Sequence, residues 1–257
     1  MTDYFFQSLQ NYHLDQWQWG LAIISAVILG ISKAGVSSIS IITVTSLAYL
    51  FGSKTSTGVL LPMLIVADVF AVFWFKRHTQ WHYLIRLLPW MAVGILLGVW
   101  LGRDIDERIF KKLMAAIILI SVGVLFWQQR KTRDEVIHHW AFAGIMGLGA
   151  GFTTMVGNLA GGFSNVYFLS MRLPKDHFIG TAAWLFLLVN CFKLPFHIFS
   201  WKTITTDSLT INLALLPFLI AGFFAGLFIV KTMEEERYRQ LILWLTASSV
   251  LLILLDL

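Results

Sequence analysis

From Trp140 to Met171 the chain carries no Asp, Glu, Lys or Arg, and the same holds for Leu87 to Gly102 and Ser208 to Val230. Runs of roughly 17–25 apolar residues without charge are what a helix needs to cross a bilayer. No other feature limits the fold as strongly. A chain 58% hydrophobic and 13% charged cannot cover a water-facing surface; soluble domains sit nearer 45–50% and about 25%. The sequence therefore predicts an all-α polytopic membrane protein, with the lipid bilayer as its first partner.

The net charge of +5 lies in short loops between apolar runs, as the positive-inside rule expects. No basic stripe with spaced aromatics appears, which excludes nucleic acid as a partner. Cys191 is the sole cysteine, so neither an intrachain disulfide nor a cysteine metal cluster can form. His138-His139 has no partner cluster, and no metal is assigned. The opening M-T-D-Y-F-F-Q-S-L-Q lacks the basic region of a signal peptide, and the first membrane segment is expected to begin near Trp17. Hydrolase, zinc-protease, Walker A and dinucleotide motifs are all missing. The sequence thus offers no catalytic residue and calls for no cofactor. Any uphill work would draw on an ion gradient or a separate motor.

The sequence repeats itself. Pro89, Gly94 and Gly98 recur 128 residues later as Pro217, Gly222 and Gly226. Earlier in each half the offset is 122: Gly35 and Gly157, Gly58 and Gly180, Phe70 and Phe192, Asp68 and Asn190. The expected organisation is one membrane domain over 1–257, made of two homologous four-segment repeats, 17–128 and 139–256. Each repeat opens with a long apolar run broken by Gly and Ser, over 18–51 and 140–171. The other segments are 56–75, 83–102 and 109–128, answered by 177–197, 208–230 and 239–256, for about 8 membrane segments. The spacings Gly94-x-x-x-Gly98 and Gly222-x-x-x-Gly226 suit close helix packing, within the chain or in a homodimer.

A straight helix of 30 residues would be about 45 Å long, against a core of about 30 Å. Each opening run is therefore bent, or re-enters as two half-helices. If each crosses once, the repeats are parallel and loop Lys/Arg divide ten to seven. If each re-enters, the repeats are inverted and the division is eleven to six, slightly better on the positive-inside rule.

Non-helical backbone at membrane depth survives only against protein or a water-filled cavity. Two such breaks in corresponding places point to a transporter binding site. Half-helix N-termini offer free N–H groups and partial positive charge, which suit an anion. The first break supplies Ser32, Lys33, Gly35, Ser37, Ser38 and Ser40; the second supplies Thr153, Thr154, Gly157, Asn158, Ser164 and Asn165. These are hydroxyl, amide and backbone donors without a carboxylate. Packing is the plainer role for any one of them. Lys33 either attracts an anion or snorkels to the membrane surface. Asp68 and Lys193 fall one turn apart in the aligned register, as a structural ion pair or a coupling switch. Asn190, at the Asp68 position, is expected to bond the broken segment. His197 reads as a solvated residue at a segment end.

The ordered set of a Gly-rich broken run, F-G-S-K-T-S-T-G-V-L-L-P, the K-R-H-T-Q-W loop and P-x4-G-x3-G, echoed in the second half, resembles the sulfite exporter TauE/SafE family, also called the toluenesulfonate uptake permeases. The resemblance spans about 17–256. It implies a multi-pass transporter of the bacterial cytoplasmic membrane, exporting or importing small sulfur-containing anions such as sulfite or organosulfonates, with a coupling proton or ion open. The first break here has a lysine and serines where the family is richer in glycine. A passive small-anion channel, a carrier of another small organic anion and a membrane scaffold are the other readings.

Overall fold

The computed structural model describes residues 14–102 and 140–242, together with 106, 109, 244 and 245. Every element among them is helical. The first apolar run forms α1 (Gln16–Lys33), a 3-10 turn (Ser37–Ile39) and α2 (Ser40–Phe51). Then come α3 (Ser53–Phe75), α4 (Trp81–Leu101), α5 (Trp140–Gly157), α6 (Gly161–Ser170), α7 (Lys175–Pro195) with a π turn (Phe196–Ser200), and α8 (Thr206–Thr232). Among the described residues, five helical stretches are long and apolar enough to cross a membrane: Lys54–His78, Trp81–Leu101, Trp140–Gly157, Lys175–Ser200 and Thr206–Thr232. The chain is a helical membrane protein. Outward-facing Phe73, Trp100 and Phe228 are each more than 70% exposed, a surface only lipid would cover at low cost. The expected segment 109–128 and most of 239–256 lie outside the described residues.

Both broken runs fold back on themselves. Trp17 of α1 meets Tyr49 of α2 with ring centroids 6.1 Å apart, and Thr43 Oγ1 donates to the Ser25 carbonyl at 3.1 Å. The start of α1 thus lies beside the end of α2. In the second run Phe142 stacks on Tyr167, centroids 6.1 Å apart. Each run is a helical hairpin with its break at the tip. The first tip is Ala34–Val36, where Gly35 takes φ +139°, a conformation open in practice to glycine alone. The second is Asn158–Ala160, where Asn158 takes φ +56°, the left-handed region that Asn tolerates best among residues with a side chain.

The remaining packing crosses between the two halves. A methyl at Gly222 of α8 would strike the Val27 carbonyl of α1, and one at Gly30 would strike the Leu219 carbonyl. Likewise Gly94 of α4 sits on the Leu148 carbonyl of α5, and Gly151 on that of Met91. Gly98 and Gly226 pack on Met155 and Ala34. Both small-residue spacings are spent on contacts inside the chain. Helices α3 and α7 run antiparallel. Gly58 near the start of α3 meets Thr203 beyond α7, Gly180 near the start of α7 meets the Phe75 carbonyl, and Asp68 meets Asn190 between them.

Candidate functional site

The two hairpin tips meet. Ser37 Oγ donates to Asn165 Oδ1 at 2.9 Å across the gap between them. Beside this contact is a cavity of about 20 Å³ lined by Ser32, Lys33, Ser37, Ser40, Leu64, Thr154, Asn158, Ala160, Gly161, Phe186 and Asn190. That free space is close to the size of one water. The first residues of α2 and α6, Ser40 and Gly161, both border it. The N-terminal ends of α2 and α6 thus border one small polar space, with the Ser40 N–H spent on the Ser37 carbonyl of the preceding 3-10 turn and the positive end of each helix dipole on this side.

Asn190 of α7 lines the cavity, and Asp68 of α3 and Lys193 of α7 lie one bond behind it. Lys33 Nζ lies 2.6 Å from Asp68 Oδ1, in a pair 8% and 0% exposed. The other carboxylate oxygen accepts from Asn190 Nδ2 at 2.6 Å. Lys33 also rides over the Phe186 ring, 4.5 Å from its centroid. Lys193 is fully buried and donates to three neutral oxygens: Asn158 Oδ1 at 2.6 Å, the Thr154 carbonyl at 2.9 Å and Thr154 Oγ1 at 3.0 Å. The Thr154 carbonyl belongs to the last turn of α5, where a cation complements the helix dipole. Asn158 completes the link by donating to the Thr57 carbonyl at 3.3 Å.

Three expectations are corrected here. Asp68 pairs with Lys33, and Lys193 instead holds the second break. Aligned register equates positions; it does not bring them into contact except near a symmetry axis. Asn190 bonds Asp68 and not the broken segment, because α3 and α7 cross at these two residues. His197 is 0% exposed: the π turn tucks its ring against Trp201, with Nδ1 2.9 Å from Thr203 Oγ1.

Of the residues singled out from sequence, Ser32, Lys33, Ser37, Ser40, Thr154, Asn158 and Asn190 reach the cavity wall. Asp68, Lys193 and Asn165 sit one bond behind it. Gly35 shapes its tip, packed on Ile179 and Val230, and its carbonyl accepts from buried Tyr238 Oη at 2.7 Å. Burial holds the Tyr238 hydroxyl well above the usual tyrosine pKa, so it remains a donor. Thr153 turns away and returns its hydroxyl to the Gly149 carbonyl at 2.8 Å; Ser164 does the same to Ala160. Gly157 ends α5, buried, without lining the cavity. The Ser38 side chain and His138-His139 lie outside the described part. Leu64 and Phe186 were not foreseen. The signal was there: each stands four residues before a polar residue, Asp68 or Asn190, and the two are 122 apart.

A family model for the sulfite exporter TauE/SafE matches residues 21–253. The chain belongs to the sulfite exporter TauE/SafE family. No curated protein and no solved structure matches it. The family match takes in both hairpins and all of α3, α4, α7 and α8. Members of the TauE/SafE family are membrane transporters rather than enzymes, and the apolar helices described above agree with that setting.

Proposed function

We propose that this chain is a secondary transporter of small sulfur-containing anions such as sulfite or organosulfonates, with its site between the two hairpin tips. The observation that carries the reading is the convergence of Ser40 and Gly161, the first residues of α2 and α6, on one cavity bordered by hydroxyls and amides. An oxyanion takes hydrogen bonds from such donors and is favoured by the positive ends of both helices. With room for about one water, the described state is closed, and the tips must part at Ser37 and Asn165 to admit substrate.

Of the residues proposed from sequence for the substrate, Ser32, Ser37, Thr154 and Asn158 contact the anion and Lys33, on the cavity wall, attracts it. Asp68, Asn190 and Lys193 remain the proposed coupling or gating group. The halves form inverted repeats, 17–128 and 139–256. Supporting this, α3 and α7 touch antiparallel at positions separated by the repeat offset, so a two-fold axis between them runs across the helices, in the membrane plane. The same arrangement gives the eleven-to-six division of loop charge and places the Lys76–His78 end of α3 on the cytoplasmic side.

Proteoliposomes holding purified protein test the function. The expected result is accumulation of labelled sulfite against its gradient when a proton or ion gradient is imposed. Asn158→Ala and Lys33→Ala should each slow it at least tenfold while protein remains folded in the membrane. Flux that only equilibrates would favour the channel reading, and absence of flux for sulfite and sulfonates would remove the transporter reading.

A further inference from the structure

We infer that the site between the tips selects a singly charged oxyanion, of the sulfonate or hydrogensulfite type, over a doubly charged one. This rests on the anion-transport reading and narrows it to a charge class. The argument is a balance of buried charge. Lys33 is neutralised by Asp68 at 2.6 Å. Lys193 is different. Its three contacts, at 2.6, 2.9 and 3.0 Å, go to an amide oxygen, a carbonyl and a hydroxyl. An ammonium has three donors and no acceptor, so this cage suits the charged form, yet no carboxylate among the described residues stands within ion-pair distance of it.

The helix ends do not alter the count. Two N-termini, of α2 and α6, and two C-termini, of α1 and α5, lie at the tips; their partial charges orient an anion locally but add no net charge. With Lys193 charged, the region is left with one positive charge in excess. Buried charge without a counterion is costly. A ligand with one negative charge completes the balance; the second charge of a dianion would have no counterpart and would itself be desolvated.

Lys193 reaches the cavity through Asn158 and Thr154, which line it, and not by direct contact. It therefore acts on the net charge of the ligand more than on its shape, while the hydroxyls hold the oxygens. Leu64 and Phe186 add an apolar wall that accepts a carbon substituent and offers nothing to a further anionic oxygen.

The test is direct binding of methanesulfonate and of sulfate to purified protein at one pH and one ionic strength. Neither probe changes its charge near neutral pH. Methanesulfonate should bind at least about tenfold more tightly. Asp68→Asn keeps the shape of the side chain and raises the excess to two charges. It should move the preference toward sulfate by about tenfold, a modest Coulomb term for a partly screened charge. Lys193→Met removes the excess and should weaken methanesulfonate by a similar factor; if that variant fails to fold, Asp68→Asn still decides. Sulfate binding as tightly as methanesulfonate, or an unmoved ratio in Asp68→Asn, overturns the inference alone. Binding of neither anion removes the anion site, and this inference with it.

Discussion

Asp68 and Asn190 stand 122 residues apart in the chain and are hydrogen-bonded at 2.6 Å. The same offset separates Gly58 from Gly180, and these two glycines sit at opposite ends of the antiparallel α3–α7 pair. Matched positions that touch at one point and diverge in opposite directions from it support the proposed inverted repeats. Single cysteines at Arg77 and Lys202, introduced with Cys191 replaced by serine, should therefore react with an impermeant maleimide from opposite sides of the membrane. Parallel repeats would put both on one side.

The Lys33–Asp68 pair is buried, so removing one partner strands a charge. Lys33→Ala should cost about 3–5 kcal/mol, read as loss of thermal stability in detergent. The double variant Lys33→Met with Asp68→Leu should recover much of that loss, since an apolar pair often replaces a buried ion pair at little cost. Transport should not recover with it. Restored flux would make the pair a structural device only.

Gly222 touches the backbone of α1. Gly222→Ala places a methyl on the Val27 carbonyl and should destabilise by about 1–3 kcal/mol through overpacking. Gly20→Ala is the control: a methyl there meets nothing within 4 Å, and helix propensity favours it slightly. Thermal melts of the two variants should move in opposite directions or differ by several degrees.

Tyr238→Phe removes the donor to the Gly35 carbonyl and leaves that oxygen buried, at a cost of about 1–3 kcal/mol. The effect should be local. Amide exchange should quicken around residues 34–40 before it changes in α3 or α7.

The tips must separate for substrate to enter. A methyl built on Gly161 lies 3.7 Å from the Ser37 carbonyl, so Ser37→Cys with Gly161→Cys, again without Cys191, should crosslink on oxidation. Crosslinked protein should bind no anion and carry no flux, and reduction should return both to the level of the never-oxidised double variant. Undiminished flux in fully crosslinked protein would mean that the tips stay together during transport.

Much of this was legible in the sequence. The breaks fall where Gly and Ser interrupt apolar runs, because backbone that leaves the helix needs glycine or a side chain able to return a hydrogen bond. The internal offsets, read from Gly35, Gly58 and Asp68, also anticipate which positions answer one another across the α3–α7 contact. The partners of the charges were not legible. Whether Asp68 faces Lys33 or Lys193 depends on the angle at which a folded-back hairpin crosses α3, and no periodicity encodes that angle. His197 shows the same limit from the other side. A residue after Pro195 reads as a helix end, yet one widened turn carries its ring inward. Leu64 and Phe186 are marked only by standing one turn before Asp68 and Asn190 at the same offset; composition alone does not separate an apolar wall from a lipid contact.

The polar contacts also bear on how such a chain is made. Lys33 and Asp68 lie 35 residues apart within the first half, and Lys193 and Asn158 are equally spaced within the second. Each half can neutralise or cap its own lysine as it leaves the ribosome, before the other half exists. Insertion into the bilayer then never requires a bare charge to wait in lipid for a partner still to be synthesised. The bonds between the halves, among them Asp68–Asn190, Ser37–Asn165, Asn158–Thr57 and Tyr238–Gly35, are made when the two finished halves close on each other.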